Sequence, residues 1–228
     1  MPPSMERLTE EALQAPTSMS GSPVQIALFM GAISLLSTAL VMMTAFTRIV
    51  IVLSFVRRAL STQEIPPTPV MIGLSLFLTA FVMGPTFDAI ERDAVTPYLD
   101  GKLSVKEAWH HGEQHLRAFM LNHVRQADMN LFGDLAHLPR DISPSAIPTR
   151  VLVPAFVTSE LKTAFIMGFC LYLPFLLIDL VVSVVLTALG MIMMPPVVIS
   201  TPCKLLLFVL LDGWVVLLKA LSLSFMSK

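Results

Sequence analysis

Apolar and polar stretches alternate along this chain on a length scale set by a lipid bilayer. From Val24 to Phe46 no charged residue occurs, and the apolar run continues past Arg48 through Ile49 to Val56. A helix that crosses a bilayer core needs about 20 apolar residues, so this run predicts a first membrane helix. Val70 to Phe87 is a second uncharged run, closed by Asp88 and interrupted near its end by Gly84 and Pro85. It is just long enough to cross. Thr163 to Ile178 then leads through Asp179 into Leu180 to Leu189, and Val197 to Leu218 follows with Lys204 and Asp212 inside it. These last two runs predict a hairpin of long apolar helices.

The polar stretches divide the chain further. Arg57, Arg58 and Glu64, followed by Pro66, Pro67 and Pro69, read as a short loop that cannot continue a helix. The insert from Asp88 to Arg150 holds most of the charge. Within it Leu116, Met120, Val124, Ala127, Leu131 and Leu135 recur at three- and four-residue spacings, which predicts one amphipathic helix. Leu138 to Thr149, with Pro139, Pro144 and Pro148, reads as an irregular return to the membrane. The expected fold is therefore all-α and membrane-associated: four long apolar helices forming two hairpins, with a polar, mainly helical insert between helices two and three. The expected divisions are a polar tail at 1–22, a first hairpin at 23–87, the insert at 88–150 and a second hairpin at 151–228 with a methionine-rich loop at 190–196.

Composition agrees with a chain that cannot hide its apolar surface alone. Of 228 residues, 55% are hydrophobic and 14% charged, against about a quarter charged in ordinary soluble domains. The surplus needs lipid or partner subunits to cover it. A formal net charge of -1 and the lack of a basic run argue against nucleic-acid binding. Arg48, Arg57 and Arg58 outnumber Glu64 around the first loop, so the positive-inside rule places that loop in the cytoplasm and the tail and insert outside. Glu6, Arg7, Glu10 and Glu11 precede the first apolar run, the wrong order for a signal peptide, and none is expected. Cys170 and Cys203 lie in apolar stretches and read as small hydrophobes.

No recognisable active site emerges. His111 and His115 are spaced for zinc on one helix face, with His110 and His123 nearby, but Gly112 weakens the helix and no further ligand pattern accompanies them. A solvated face is the preferred reading. Phosphate loops, nucleophile elbows and paired carboxylates are absent from the sequence, so an enzyme is not expected. What stands out is charge inside apolar runs: Arg48, Glu160, Lys162, Asp179, Lys204 and Asp212. Ionised groups facing lipid cost several kcal/mol each, so they must face protein, water or one another, and a pair such as Asp179 with Lys204 would satisfy both. A proton relay or ion path is the competing reading. At the hairpin tip, Gly190 and Pro195–Pro196 bracket Met191, Ile192, Met193 and Met194. Methionines fill gaps in ordinary cores, and on a turn they can also form a deformable apolar seal; the sequence leaves both open.

Several long motifs in one order resemble the FliP family. In the first half these are MMTAFTRIVIV (42–52), Arg57 to Leu60, Pro66–Pro67 and FVMGP (81–85); in the second, LVPAFVTSELKTAF (152–165), LPFLLIDLV (173–181), LGMIMMPP (189–196) and KLLLFVLLDGW (204–214). The resemblance covers about Ile33 to Phe225. It implies a core export-gate subunit of the flagellar type III secretion apparatus at the flagellar basal body in the bacterial inner membrane. Several copies, pentamer-like, would wind with FliQ and FliR subunits around a channel for unfolded export substrates, beside FlhA-type and FlhB-type components and membrane lipid. No cofactor or metal is implied. The family's methionine loop falls on Met191, Met193 and Met194, with Ile192 as a stiffer departure, and makes sealing the preferred role. Its charged motif falls on Glu160 and Lys162, which it assigns to contacts between subunits. The alternatives are the homologous gate subunit of a virulence-type injectisome, hinted at by LYLP (171–174) and STP (200–202), and a small-solute transporter or ion channel suggested by the intramembrane charges.

Overall fold

The computed structural model describes residues 23–62, 65–139 and 142–226, and among these every regular element is helical. The polar tail expected at 1–22, and Glu64 in the first loop, lie outside the described residues. The chain forms two compact units, one ending at Leu40 and one running from Val41. The described part of the first unit lies in the apolar helix α1, Pro23–Met42, with Ile26, Leu28 and Met30 exposed. Its hydroxyls turn back on the backbone: Ser34 donates to the Met30 carbonyl at 3.0 Å and Thr38 to that of Ser34 at 2.9 Å. Such bonds let Ser and Thr sit in an apolar helix without an unpaired donor.

The first apolar run is broken, where the sequence predicted one continuous helix to Val56. Thr44 is the reason. Its backbone N–H and its hydroxyl both close on the Val41 carbonyl, and its Oγ1 accepts the Phe46 N–H at 3.3 Å, so one helix ends and the next is capped. Helix α2, Phe46–Ala59, buries Ile49, Val52, Leu53, Val56 and Ala59, a three- and four-residue stripe. Helix α3, Thr68–Ile90, buries Met71, Ser75, Thr79 and Met83 on one stripe and leaves Ile72, Leu76, Phe77 and Phe81 exposed. Pro85 lies inside α3 without ending it, and the helical path continues through a π turn at Glu91–Val95 into α4, Thr96–Leu99. A lost backbone bond at a proline is tolerated where neighbours re-satisfy the freed carbonyl.

The insert holds two helices where one amphipathic helix was expected. Helix α5, Val105–His123, starts from a capping box in which Ser104 Oγ accepts the Glu107 N–H and the Glu107 carboxylate accepts the Ser104 N–H. It ends at Val124, whose backbone is extended, and α6 runs over Gln126–Leu135. The break has a tertiary cause, because the Arg125 N–H donates to Ser159 Oγ at 3.0 Å instead of to its own helix. Leu131 and Leu135 are consequently exposed while Met120 is buried. The return segment carries one short turn, Pro144–Ala146, as its prolines suggested.

Helix α7 runs unbroken over 40 residues, Thr149–Ala188. At 1.5 Å per residue that is roughly 60 Å, about twice the thickness of a bilayer core. It packs most extensively on α2 and also on α5 and α6. The last apolar run is broken as well: α8, Val197–Leu210, and α9, Gly213–Met226, are bent by 65°. Asp212 sits between them with φ 47°, and Gly213 follows because a Cβ there would meet the Phe208 ring at 2.3 Å. Among the described residues, two continuous helical stretches, Thr68–Leu99 and Thr149–Ala188, are long and apolar enough to cross a bilayer, or three if the bent pair counts as one span. The all-α expectation holds, and among the described residues the first and last of the four expected apolar runs are each divided into two helices.

Candidate functional site

The methionine turn is built by the end of α7. Gly190 has φ +76°, the left-handed conformation glycine adopts without a Cβ penalty. Its N–H donates to the Thr187 carbonyl at 3.0 Å and the Met191 N–H reaches the Leu186 carbonyl at 2.9 Å. This paired pattern is the Schellman motif, which uses up two carbonyls that the helix end would leave bare. Pro195 and Pro196 then start α8, their carbonyls accepting from Val198, Ile199 and Ser200. Between these two fixed points Met193 is 96% and Ile192 79% exposed, with Met191 and Met194 partly covered. Ile192 and Met193, on a geometrically fixed turn, are therefore left largely uncovered by the described residues.

Behind the turn lies a buried charge pair. Lys204, 1% exposed, donates to Asp179 Oδ2 at 2.6 Å and to Ser61 Oγ at 2.7 Å. Asp179 stands ten residues before the α7 C-cap at Leu189, roughly 15 Å along the helix. The bond ties α7 to α8 and to the turn after α2, where Ser61 is held at φ 56°. The Asp179–Lys204 pair weighed from the sequence is present; the Ser61 contact had no sequence signal, because a lone serine after a helix is an ordinary residue. Asp179 Oδ1 and Ser200 Oγ are buried with no hydrogen-bond partner among the described residues.

A second charge cluster sits deeper. Arg48 on α2 grips Glu160 on α7 with both sides of its guanidinium, Nε reaching Oε2 at 2.8 Å and Nη2 reaching Oε1. Its Nη1 donates to the Ser224 carbonyl at 3.1 Å and to Ser224 Oγ at 2.9 Å, and its Cζ lies 3.8 Å above the Phe225 ring. Planar, two-pronged pairing of this kind suits Arg and carboxylate and is short and charge-assisted. The same cation thus joins α2, α7 and the end of α9. Glu160 is 0% exposed and faces the chain's own interior. Lys162 next to it does point outward and, among the described residues, has no ion-pair partner.

The remaining candidates separate cleanly. Asp212 is exposed and acts through its backbone, its carbonyl accepting from Val215 at 2.8 Å and Val216 at 3.2 Å to start α9. His115 meets Asp93 at 3.0 Å and His110 meets Gln114 at 3.1 Å. His111 is exposed, and among the described residues no His, Cys, Asp and Glu group could hold a metal ion. Sequence reasoning passed over Ser159, whose hydroxyl donates to Asp128 Oδ2 at 2.7 Å while its oxygen accepts from Arg125. Its neighbourhood, a serine beside Glu160 in an apolar run, was the only available signal.

Comparison with known proteins gives a consistent result. A family model described as the FliP family matches residues 29–221. The flagellar biosynthetic protein FliP of Bacillus subtilis (strain 168) is 50% identical over 204 residues, covering 90% of this chain and 92% of that protein. The protein of the same name from Pectobacterium carotovorum is 51% identical over 204 residues, covering 90% of this chain and 79% of its own. That of Buchnera aphidicola from Acyrthosiphon pisum is 48% identical over 221 residues, 97% of this chain but 58% of the relative.

Proposed function

The chain belongs to the FliP family, and from that premise we propose that it is a core, channel-forming subunit of the flagellar protein-export gate. The single observation that carries the reading is the methionine turn, held rigidly by the Gly190 cap and the Pro195–Pro196 start yet bare at Met193 and Ile192. Copies arranged around an axis would bring these side chains together as a ring of apolar, deformable matter. Unbranched thioethers change rotamer at little cost, so such a ring closes on itself when empty and moulds around an extended chain when occupied. The Schellman cap and the Lys204–Asp179 bond keep the turn's base in place while the side chains move. Unfolded flagellar proteins are the cargo, and the bacterial inner membrane at the flagellar basal body is the location. Further copies, FliQ-type and FliR-type subunits and FlhA-type and FlhB-type components are the partners this role needs.

The names of the relatives, flagellar biosynthetic proteins, support the flagellar reading over the injectisome one. The solute-transporter reading loses its main motive, since Arg48, Glu160, Asp179 and Lys204 are engaged in pairs that tie helices together. The test is a chain with Met191, Met193 and Met194 changed to Ala in flagellated cells. Expected are increased small-ion leakage across the inner membrane with the assembly intact and altered export of flagellar proteins. Unchanged leakage in a correctly assembled complex would return the methionines to ordinary packing.

A further inference from the structure

The C-terminal end of α9 meets a second polar side chain besides Arg48, the imidazole of His123. His123, the last residue of α5, is 9% exposed. Its Nδ1 lies 2.8 Å from the Phe119 carbonyl oxygen and its Nε2 lies 3.1 Å from that of Phe225. A carbonyl oxygen only accepts, so both ring nitrogens must donate for both bonds to exist. The neutral imidazole carries one N–H and the imidazolium carries two. The ring is wedged in an aromatic cluster, 4.4 Å from the Phe119 centroid and 5.5 Å from that of Phe225, which leaves little room for another orientation. Its Nε2 partner is among the last carbonyls of a helix, the end at which a cation is favoured.

We propose that His123 is a proton-binding clamp: protonated, it bonds the Phe119 and Phe225 carbonyls together and docks the end of α9 onto the insert, and deprotonated it releases one of them. Charged groups on the elements that pack on α5 or on the end of α9 include Arg48 of α2, Glu160 of α7, Arg125 and Asp128 at the start of α6, Lys219 on α9, and Glu91, Arg92 and Asp93 of the π turn, with Arg92 and Asp93 paired and Arg125 Nη1 buried with no hydrogen-bond partner among the described residues. Arg48 and Glu160 offset each other through their two-pronged pair, and Asp128 is engaged by Ser159, while Lys219 points to solvent. Arg48 holds the preceding carbonyl, Ser224, through a group that does not titrate. Losing the His123 bond therefore loosens the last turn of α9 without detaching the helix. The sign follows from the geometry: the docked form binds the proton and the released form does not need it, so acid favours docking and alkali favours release.

Hydrogen exchange of the full-length chain in lipid nanodiscs tests this. The readout is the protection of the amides at 217–226, corrected for intrinsic exchange, at pH 5.5 and pH 8. The expected result is about tenfold lower protection at pH 8 in the wild type, the effect of one hydrogen bond to a charged group, and no pH dependence in His123→Gln, which keeps a donor but does not titrate. Equal protection at both pH values in the wild type, or the same slope in His123→Gln, overturns the clamp. Should His123→Gln not fold, a chain with His110, His111, His115 and His137 changed to Gln and the remaining histidine labelled with nitrogen-15 decides. Two protonated ring nitrogens at pH 5.5 and one at pH 8 support the proposal; one at both, or two at both, overturns it.

Discussion

The two halves of helix α7 differ in what finishes them. From Val151 to Glu160 the helix is enclosed by its own chain: Val151, Leu152, Ala155, Phe156, Ser159 and Glu160 are buried, and the two polar members are bonded to Asp128, Arg125 and Arg48. From Phe165 to Leu189 it is apolar on most of its surface and exposed at Phe165, Phe169, Leu173, Leu177, Val181 and Val185. Polar bonds specify the first half, because each buried donor needs one partner in one place. The second half is held more sparsely, at Gly168 against Phe55, at Phe175 and Leu186, and through the Asp179 carboxylate. A helix of this length thus carries an internally completed base and an arm whose apolar surface the described residues leave largely uncovered. The methionine turn sits at the tip of that arm.

Removing one partner from the base has the largest expected effect. Glu160→Ala leaves the Arg48 cation buried and uncompensated, which costs about 3–5 kcal/mol. Thermal unfolding of the purified chain should show it as a large fall in midpoint, and the double change Arg48→Met with Glu160→Leu should recover most of the loss. At the boundary between the halves, a Cβ on Gly168 would meet the Phe55 ring at 2.5 Å. Gly168→Ala should lower stability by about 1–3 kcal/mol through overpacking between α2 and α7, with Phe55→Leu as the relieving change. In the arm, Val184→Ser should alter the isolated chain's stability by no more than about 0.5 kcal/mol, since the side chain is exposed there. Its cost should appear in assembly, read as a smaller yield of complex from membranes.

The smallest effect concerns the insert's first turn. Hydrogen bonds from the Ser104 backbone and then its side chain hold the Glu107 carboxyl below its ordinary value. A depressed carboxyl contributes stability above its unfolded-state value and loses it as the pH falls through the folded one. Exchange of the amides at 105–108 should therefore rise slightly below about pH 4 in the wild type and not in Glu107→Gln.

The sequence shows where water is absent and much less of what replaces it. Hydropathy marked every apolar run within a few residues, and of the charged positions inside them Arg48 pairs with Glu160 and Asp179 with Lys204, while among the described residues Lys162 and Asp212 form no ion pair. It did not show the breaks at Thr44, Val124 and Asp212. Each depends on a hydroxyl, a tertiary bond or a single left-handed residue, and none of these disturbs the apolar count. Glu160 was legible as a charge that needs a partner inside an apolar run, but not which partner, since Arg48 is 112 positions away and no local pattern links them. The methionine turn was legible because Gly and Pro punctuate it on both sides, and its cap bonds follow directly from Gly190.

Carbene footprinting of the purified chain and of the assembled complex compares the two halves of α7 directly. The account predicts equal, low labelling of 151–160 in both states, with strong labelling of 165–194 in the purified chain that disappears on assembly. Protection gained in the first half, or an arm that stays equally labelled in the complex, would contradict it.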